Sequence, residues 1–212
     1  MDTHTSRLNK IQKRFWLDDI ISHSNRNNLT FIFKISRELD IKALYNALHI
    51  ITIENPLFHA YIRQDEGKDP YWDIREDFIL PINAEPLIFK SEQEINIFAD
   101  KNGQKPFKLQ EEYPCKYFLL KGPSDYFYLM IKMHHIIIDA PRFLVFTNRL
   151  SKLYNDQRHG LYNETPTESI EIFNDLERSL YTNERKKSDM AYWTKYIGNA
   201  NFTIPISTSG TC

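Results

Sequence analysis

Met133-His134-His135-Ile136-Ile137-Ile138-Asp139-Ala140-Pro141-Arg142 sets two adjacent histidines and an aspartate between an apolar run and a helical pattern. On its N-terminal side, Tyr126 to Met133 is rich in aromatic and aliphatic residues and follows the turn signal Gly122-Pro123-Ser124-Asp125, which predicts a buried strand. On its C-terminal side, Pro141 suits the first turn of a helix, and Phe143, Phe146, Thr147, Leu150, Leu153 and Tyr154 recur at helical spacing. A helix is therefore expected to start just after Asp139. Side chains alternate across a strand, so, with the strand persisting that far, His134 and His135 are expected on opposite faces and in different roles. The motif occupies a strand end and the connection to a helix, a rigid support from which a side chain can reach into a cleft.

Working outward, residues from about Asn9 to His23 read as an amphipathic helix with Ile11, Phe15, Ile20 and Ile21 among its apolar positions. Leu29 to Ile35 is a strand, and Asp40 supplies an N-cap for a helix whose Ile41, Leu44, Leu48 and Ile51 share a face; Asn55-Pro56 ends it. Phe58 to Ile62 and Tyr71 to Ile74 read as a hairpin around a polar loop, Gln64 to Pro70. Ser91 with Glu94 makes a capping box for a helix closed by Gly103, and Lys116 to Lys121 is expected to pair with the histidine strand. Thr165-Pro166-Thr167-Glu168 is a helix start, followed by Phe173, Leu176 and Leu180 and then Met190, Trp193 and Ile197 as one or two helices. Residues 206–212 read as a disordered tail.

The 212 residues fit one domain with a substantial core, here bounded as 1–205. Lys+Arg 27 against Asp+Glu 28 leaves a net charge of -1, which argues against a nucleic-acid protein or a binder of anionic membranes. The N-terminus lacks an apolar signal core and no run reaches the roughly 18 apolar residues of a membrane span, so the expected location is the cytoplasm. Cys115 and Cys212 are far apart in sequence and are expected to be reduced.

The pattern His134-His135-x-x-x-Asp139 resembles the active-site motif of the condensation domains of non-ribosomal peptide synthetases, within the coenzyme-A-dependent acyltransferase superfamily that includes chloramphenicol acetyltransferase. Matching segments lie on both sides of it. Leu8 to Leu17 resembles the family's opening segment, with Gln12, Arg14, Trp16 and Leu17 in register. Leu39 to Leu44 and Ala47-Leu48 are similar to its second helix, and Tyr192-Trp193 with Tyr196-Ile197 to the helix that closes the first half of the domain. The resemblance implies an α+β fold, a chloramphenicol acetyltransferase-like lobe with a mixed β-sheet flanked by helices. It also implies a domain of about twice this size, two lobes in a V, of which this chain is the first. Two departures stand out. Ala140-Pro141 follows the aspartate where the family usually has glycine, and Ile53-Glu54-Asn55 and Leu57-Phe58-His59 replace Arg-His-Glu and Leu-Arg-Thr. Arg14, Arg63 and Arg142 are the candidate substitutes for the absent arginines.

By that resemblance His135, His134 and Asp139 are the candidate catalytic residues, with His135 the one that faces the reaction channel. A neutral imidazole can accept a proton from an attacking amine or orient it by hydrogen bonding. Alternation gives His134 a packing and hydrogen-bonding role. Asp139 is either an acid or an anchor; a buried carboxylate needs a charged or hydrogen-bonded partner, which favours an anchor that fixes the loop and the imidazole beside it. Zinc is disfavoured because adjacent strand histidines diverge and no His-Glu-x-x-His helix is present; a Ser-His-Asp triad lacks its Gly-x-Ser-x-Gly elbow. The implied reaction joins a carrier-bound acyl or peptidyl thioester to a carrier-bound amino-acyl acceptor. No cofactor is expected on the chain itself: phosphopantetheine arms belong to the partner carrier proteins, and the other expected partner is the missing second lobe. The alternatives are an acyltransferase acting on a free hydroxyl or amine, and an inactive interaction module. A heterocyclising subtype is disfavoured because its aspartate-rich motif is absent.

Overall fold

The computed structural model describes residues 4–35, 38–161, 179 and 182–198. The chain divides into two compact units, residues 1–171 and 172–212. In the first, β1 (His4–Arg7), α1 (Lys10–Ser22), β2 (Asn28–Ile35) and α2 (Ile41–Ile53) precede a 3-10 turn, Pro56–His59. Next come β3 (Ala60–Arg63), β4 (Tyr71–Ile74), β5 (Leu87–Ile88), α3 (Glu92–Gly103), β6 (Cys115–Lys121), β7 (Phe127–His134) and α4 (Ala140–His159). The second unit contains α5 (Asn183–Ile197). The expected helix start at 165–168, the apolar positions Phe173, Leu176 and Leu180, and the tail lie outside the described residues.

A mixed sheet in the order β2-β7-β6-β5 carries the histidine strand at its centre, with β5 parallel to β6 and the other pairs antiparallel. A smaller antiparallel sheet, β1-β4-β3, holds the expected hairpin. The hairpin differs from its reading in one respect, since Phe58 and His59 belong to the 3-10 turn that precedes β3.

β7 is buried along its whole length, as its composition predicts, and its two faces enter two cores. Leu129, Ile131 and Met133 pack with Leu44, Leu48 and Ile51 of α2 and Phe146, Leu150 and Leu153 of α4. Tyr128 and Met130 pack with Ile95 and Ala99 of α3. Fully burying a side chain of this size contributes about 1.5–3 kcal/mol, so the strand that presents the motif is among the best anchored in the unit. Gly122 before it is obligatory for space, because a Cβ there would lie 2.6 Å from Tyr128 Cε2 and 2.8 Å from Ile95 Cδ1.

The helix starts follow the caps read from sequence. Asp40 accepts the Ala43 N–H at 2.9 Å and Ser91 the Glu94 N–H at 3.1 Å. For α1, Asn9 and Gln12 form a reciprocal capping box. The buried face of α1 corrects its reading: Ile11 and Ile21 are exposed, Trp16 is buried and Phe15 packs partly against the core. In α5, Thr182 caps through the Arg185 N–H, and Tyr192 stacks on Tyr196 one turn later at 5.4 Å.

Candidate active site

At the end of β7 the strand ladder gives way to a turn. His134 is the last strand residue, opposite Asn28, and its N–H donates to Pro114 O at 2.8 Å. The Ile137 N–H closes back on His134 O at 3.1 Å. Ile136, Ile137 and Ile138 are all buried, so three aliphatic side chains pin the turn to the core and His135 is the residue left half-buried beside them. His135 lies beyond the strand, in the turn, so the alternation expected of the pair does not extend to it.

His134 is 1% exposed. Its Nδ1 accepts the Ile136 N–H at 3.1 Å, which puts the proton of the neutral ring on Nε2. That nitrogen lies 2.8 Å from Asp19 Oδ2 on α1. The approach is electrostatic rather than well aligned, because Oδ2 takes no hydrogen bond of good geometry. The edge of Phe107 meets the ring at 5.8 Å. Nδ1 is thus engaged by the backbone, Nε2 faces a carboxylate, and the ring as a whole is held inside the protein.

His135 differs in each respect. Its ring stacks on Phe15 of α1 at a centroid distance of 5.1 Å and 15° between planes, and its N–H donates to Asn27 O at 2.8 Å. Nδ1 is enclosed without a hydrogen-bond partner, so the accessible nitrogen of the half-buried ring is Nε2. Among the described residues no carboxylate is bonded to this imidazole; the aromatic stack and the backbone hold it. An imidazole with one reachable nitrogen and a fixed plane can accept, donate or orient a proton on an incoming nucleophile.

Asp139 is exposed, and Oδ1 accepts the Arg142 N–H at 2.9 Å as the N-cap of α4. The expectation of a buried carboxylate beside an imidazole is thereby corrected: it anchors the helix that follows the motif, while the carboxylate that reaches a motif histidine is Asp19. Three arginines were the candidate substitutes for the absent ones. Arg14 is exposed, Arg63 bonds Gln110 O at 2.8 Å and Asp73 Oδ2 at 3.4 Å, and the Arg142 N–H serves the cap. Phe58, which stands where an arginine is usual, is buried against Phe146 at 5.7 Å.

Sequence reasoning missed Phe15, Asp19 and Asn27. Their one visible signal was polarity without a helical reason, the pair Asp18-Asp19 followed by Arg26-Asn27. Asn27 is buried, and its side-chain amide donates to Asp18 Oδ2 at 2.9 Å and Asp19 Oδ1 at 2.8 Å. Arg26 pairs with Asp18 at 2.6 Å. Lys132 was missed as well: buried on the His134 side of β7, it lies over Phe107 at 4.3 Å and donates to Lys105 O at 2.5 Å. Burial pushes its ammonium down to about 8, with Lys116 acting in the same direction. Among the described residues no three His, Cys, Asp or Glu side chains converge as metal ligands, and no helix is long and apolar enough to cross a membrane.

A family model described as the condensation domain matches residues 2–209. Among curated proteins the chain is similar to a plipastatin synthase of Bacillus subtilis (strain 168), 23% identical over 197 residues, covering 92% of this chain and 8% of that one. It is also similar to bacitracin synthase 3 of Bacillus licheniformis, 25% identical over 191 residues, covering 88% and 3%. Among solved structures, the starter condensation domain of the rhizomide synthetase, crystallised as a variant, superposes with a TM-score of 0.79 at 16% identity, covering 93% of this chain and 49% of that one. The first condensation domain of the CDA synthetase gives 0.77 at 18%, covering 98% and 53%. The chain thus spans about half the length of these solved chains and under a tenth of the curated ones. With the motif at a strand end, mixed sheets flanked by helices and a family match over nearly all its residues, the chain belongs to the condensation-domain family.

Proposed function

We propose that residues 1–205 form the first lobe of a condensation domain that makes amide bonds in non-ribosomal peptide synthesis, with His135 as its reacting imidazole. The donor is an acyl or peptidyl thioester and the acceptor an amino-acyl group, each on the phosphopantetheine arm of a carrier protein in the cytoplasm. The acceptor amine attacks the thioester carbonyl, a C–N bond forms, the C–S bond breaks, and the carrier thiol leaves with the proton the amine gives up. Such a step needs an oriented nucleophile and a group that holds its proton in transit. The observation that carries the reading is the contrast between neighbours: His134 is 1% exposed, with Nδ1 bonded to the backbone and Nε2 facing Asp19, whereas His135 is half-buried on a ring stacked against Phe15. A second lobe supplies the opposite wall of the channel.

The test is His135→Ala in the two-lobed domain, assayed with carrier-bound donor and acceptor. Product formation is expected to fall by about a hundredfold or more, in the range general acid–base groups supply, with the melting temperature within a few degrees of the parent. Near-normal turnover removes His135 from the mechanism.

A further inference from the structure

We infer that Asp19 and Asn27 are positioning residues: together they latch the His134–His135 turn to α1 and thereby set the plane and reach of the His135 imidazole. The inference rests on the reading of His135 as the reacting group.

Phe15 and Asp19 are one turn apart on α1, so their side chains leave the same face of the helix. Phe15 takes the ring of His135 and Asp19 takes the ring of His134. One short helix therefore holds both histidines, the last residue of the strand and the first of the turn. Asn27 ties the same two points a second time. Its amide has two N–H donors; one goes to Asp18 and the other to Asp19, which fixes the Asp19 carboxylate against rotation. Its backbone carbonyl accepts the His135 N–H at 2.8 Å.

The two links act on His135 from opposite sides of its Cα. Asp19 Oδ2 beside Nε2 of His134 favours the tautomer whose proton sits there, leaving Nδ1 free to accept the Ile136 N–H. Asn27 O holds the amide on the other side of the His135 Cα. Between them, the N–H groups that precede and follow the His135 Cα are both assigned, and the side chain has one direction in which to leave. Burial makes this network matter: Asn27 is 8% exposed and His134 1%, so removing one member leaves its partners without water to replace it. Asp19 acts through His134 and the turn.

The experiment measures imidazole ring ¹⁵N and ¹³C shifts of this chain for wild type, Asp19→Ala, Asp19→Asn and Asn27→Ala, a readout that needs no turnover. Wild type is expected to show His134 as a single Nε2–H tautomer and His135 with ring-current shifts from Phe15. Asp19→Ala should mix the His134 tautomers and shift or broaden His135, while amide shifts along β2 and β6 stay put. Asp19→Asn, which keeps an oxygen acceptor, should restore wild-type rings. In the two-lobed domain, Asp19→Ala should lower kcat about ten- to a hundredfold with KM within about threefold, and Asp19→Asn should recover most of it. If Asp19→Ala fails to fold, Asn27→Ala, which removes the side-chain bridge and keeps the backbone carbonyl, is read by the same His135 shifts. Unchanged His135 rings in the folded variants overturn the inference. A wild-type domain without condensation activity would instead overturn the proposed function, and the ring shifts would still decide the latch.

Discussion

At the scale of single residues, His59 is a buried histidine whose titration burial disfavours. Its Nδ1 lies 2.6 Å from Arg75 O, its ring stacks on Phe78 at 4.4 Å, and Nε2 is enclosed without a hydrogen-bond partner. Burial pushes its pKa below the ordinary 6.5, the Arg75 carbonyl pulls it partly back, and His49, stacked on the same Phe78 ring at 5.3 Å, pushes it down again. Above pH 6.5 the histidine is neutral in both folded and unfolded chains. As pH falls through 6.5 the unfolded chain takes up a proton that the folded one resists, so stability declines until the lowered folded pKa is reached. Chemical denaturation at pH 7.5 and pH 5 should show this loss, and His59→Phe should flatten the dependence at some cost in stability at pH 7.5. An equally steep profile in the variant would place the sensitivity elsewhere. Asp139 allows a second measurement. As an exposed N-cap it should contribute about 1 kcal/mol, so Asp139→Ala lowers stability by that much and Asp139→Ser largely keeps it. A loss of several kcal/mol would mean that Asp139 holds a buried cation after all.

At the scale of elements, the contact between α2 and α4 carries an ion pair that local patterns did not reveal. Arg149 Nε donates to Glu54 Oε2 at 2.9 Å and a second guanidinium nitrogen to Oε1, with the two side chains only 24% and 14% exposed. Arg149→Ala would strand the Glu54 carboxylate, and the expected loss is about 3 kcal/mol. Replacing both by apolar residues of similar volume should recover most of that, as read by urea unfolding; equal losses in the single and double variants would show that the pair contributes through something other than its charges. The same contrast explains what was legible in the sequence. β2, β6 and β7, the caps Asp40 and Ser91, the helix start after Asp139 and the two histidines carry signals within a few residues of themselves, and each of those elements formed. The face of α1 was misread because helical spacing does not say which side meets the core. β1 was not read at all: His-Thr-Ser-Arg has no strand composition and exists as a strand through its ladder with Tyr71–Ile74. For the site, the histidines were visible as a motif, whereas Phe15, Asp19 and Asn27 reach them only through the fold.

At the scale of the molecule, the share of each solved neighbour that the chain covers, about half, bears on what it can do by itself. His135 stands on one wall, and the proposed reaction requires two tethered substrates to meet over it. Placing both reactants in line can supply about 7–11 kcal/mol of barrier reduction, most of which is lost when a single wall faces water. The chain alone is therefore expected to fold, since the described residues that pack around β7 in its two cores all belong to the first unit, but to show condensation no more than a few-fold above background. Mixing it with a separately produced second lobe should raise turnover by orders of magnitude, saturating with lobe concentration, and His135→Ala should abolish the gain. The exposed Ile11, Leu17, Ile20 and Ile21 of α1 give the isolated chain an apolar surface that favours self-association, so the assay is paired with sedimentation to establish that monomer is present. Robust turnover by that monomer, without any added lobe, would sink the placement of the reaction between two lobes. It would point instead to the superfamily's other chemistry, transfer of an acyl group to a free amine or hydroxyl on a site built from this chain only.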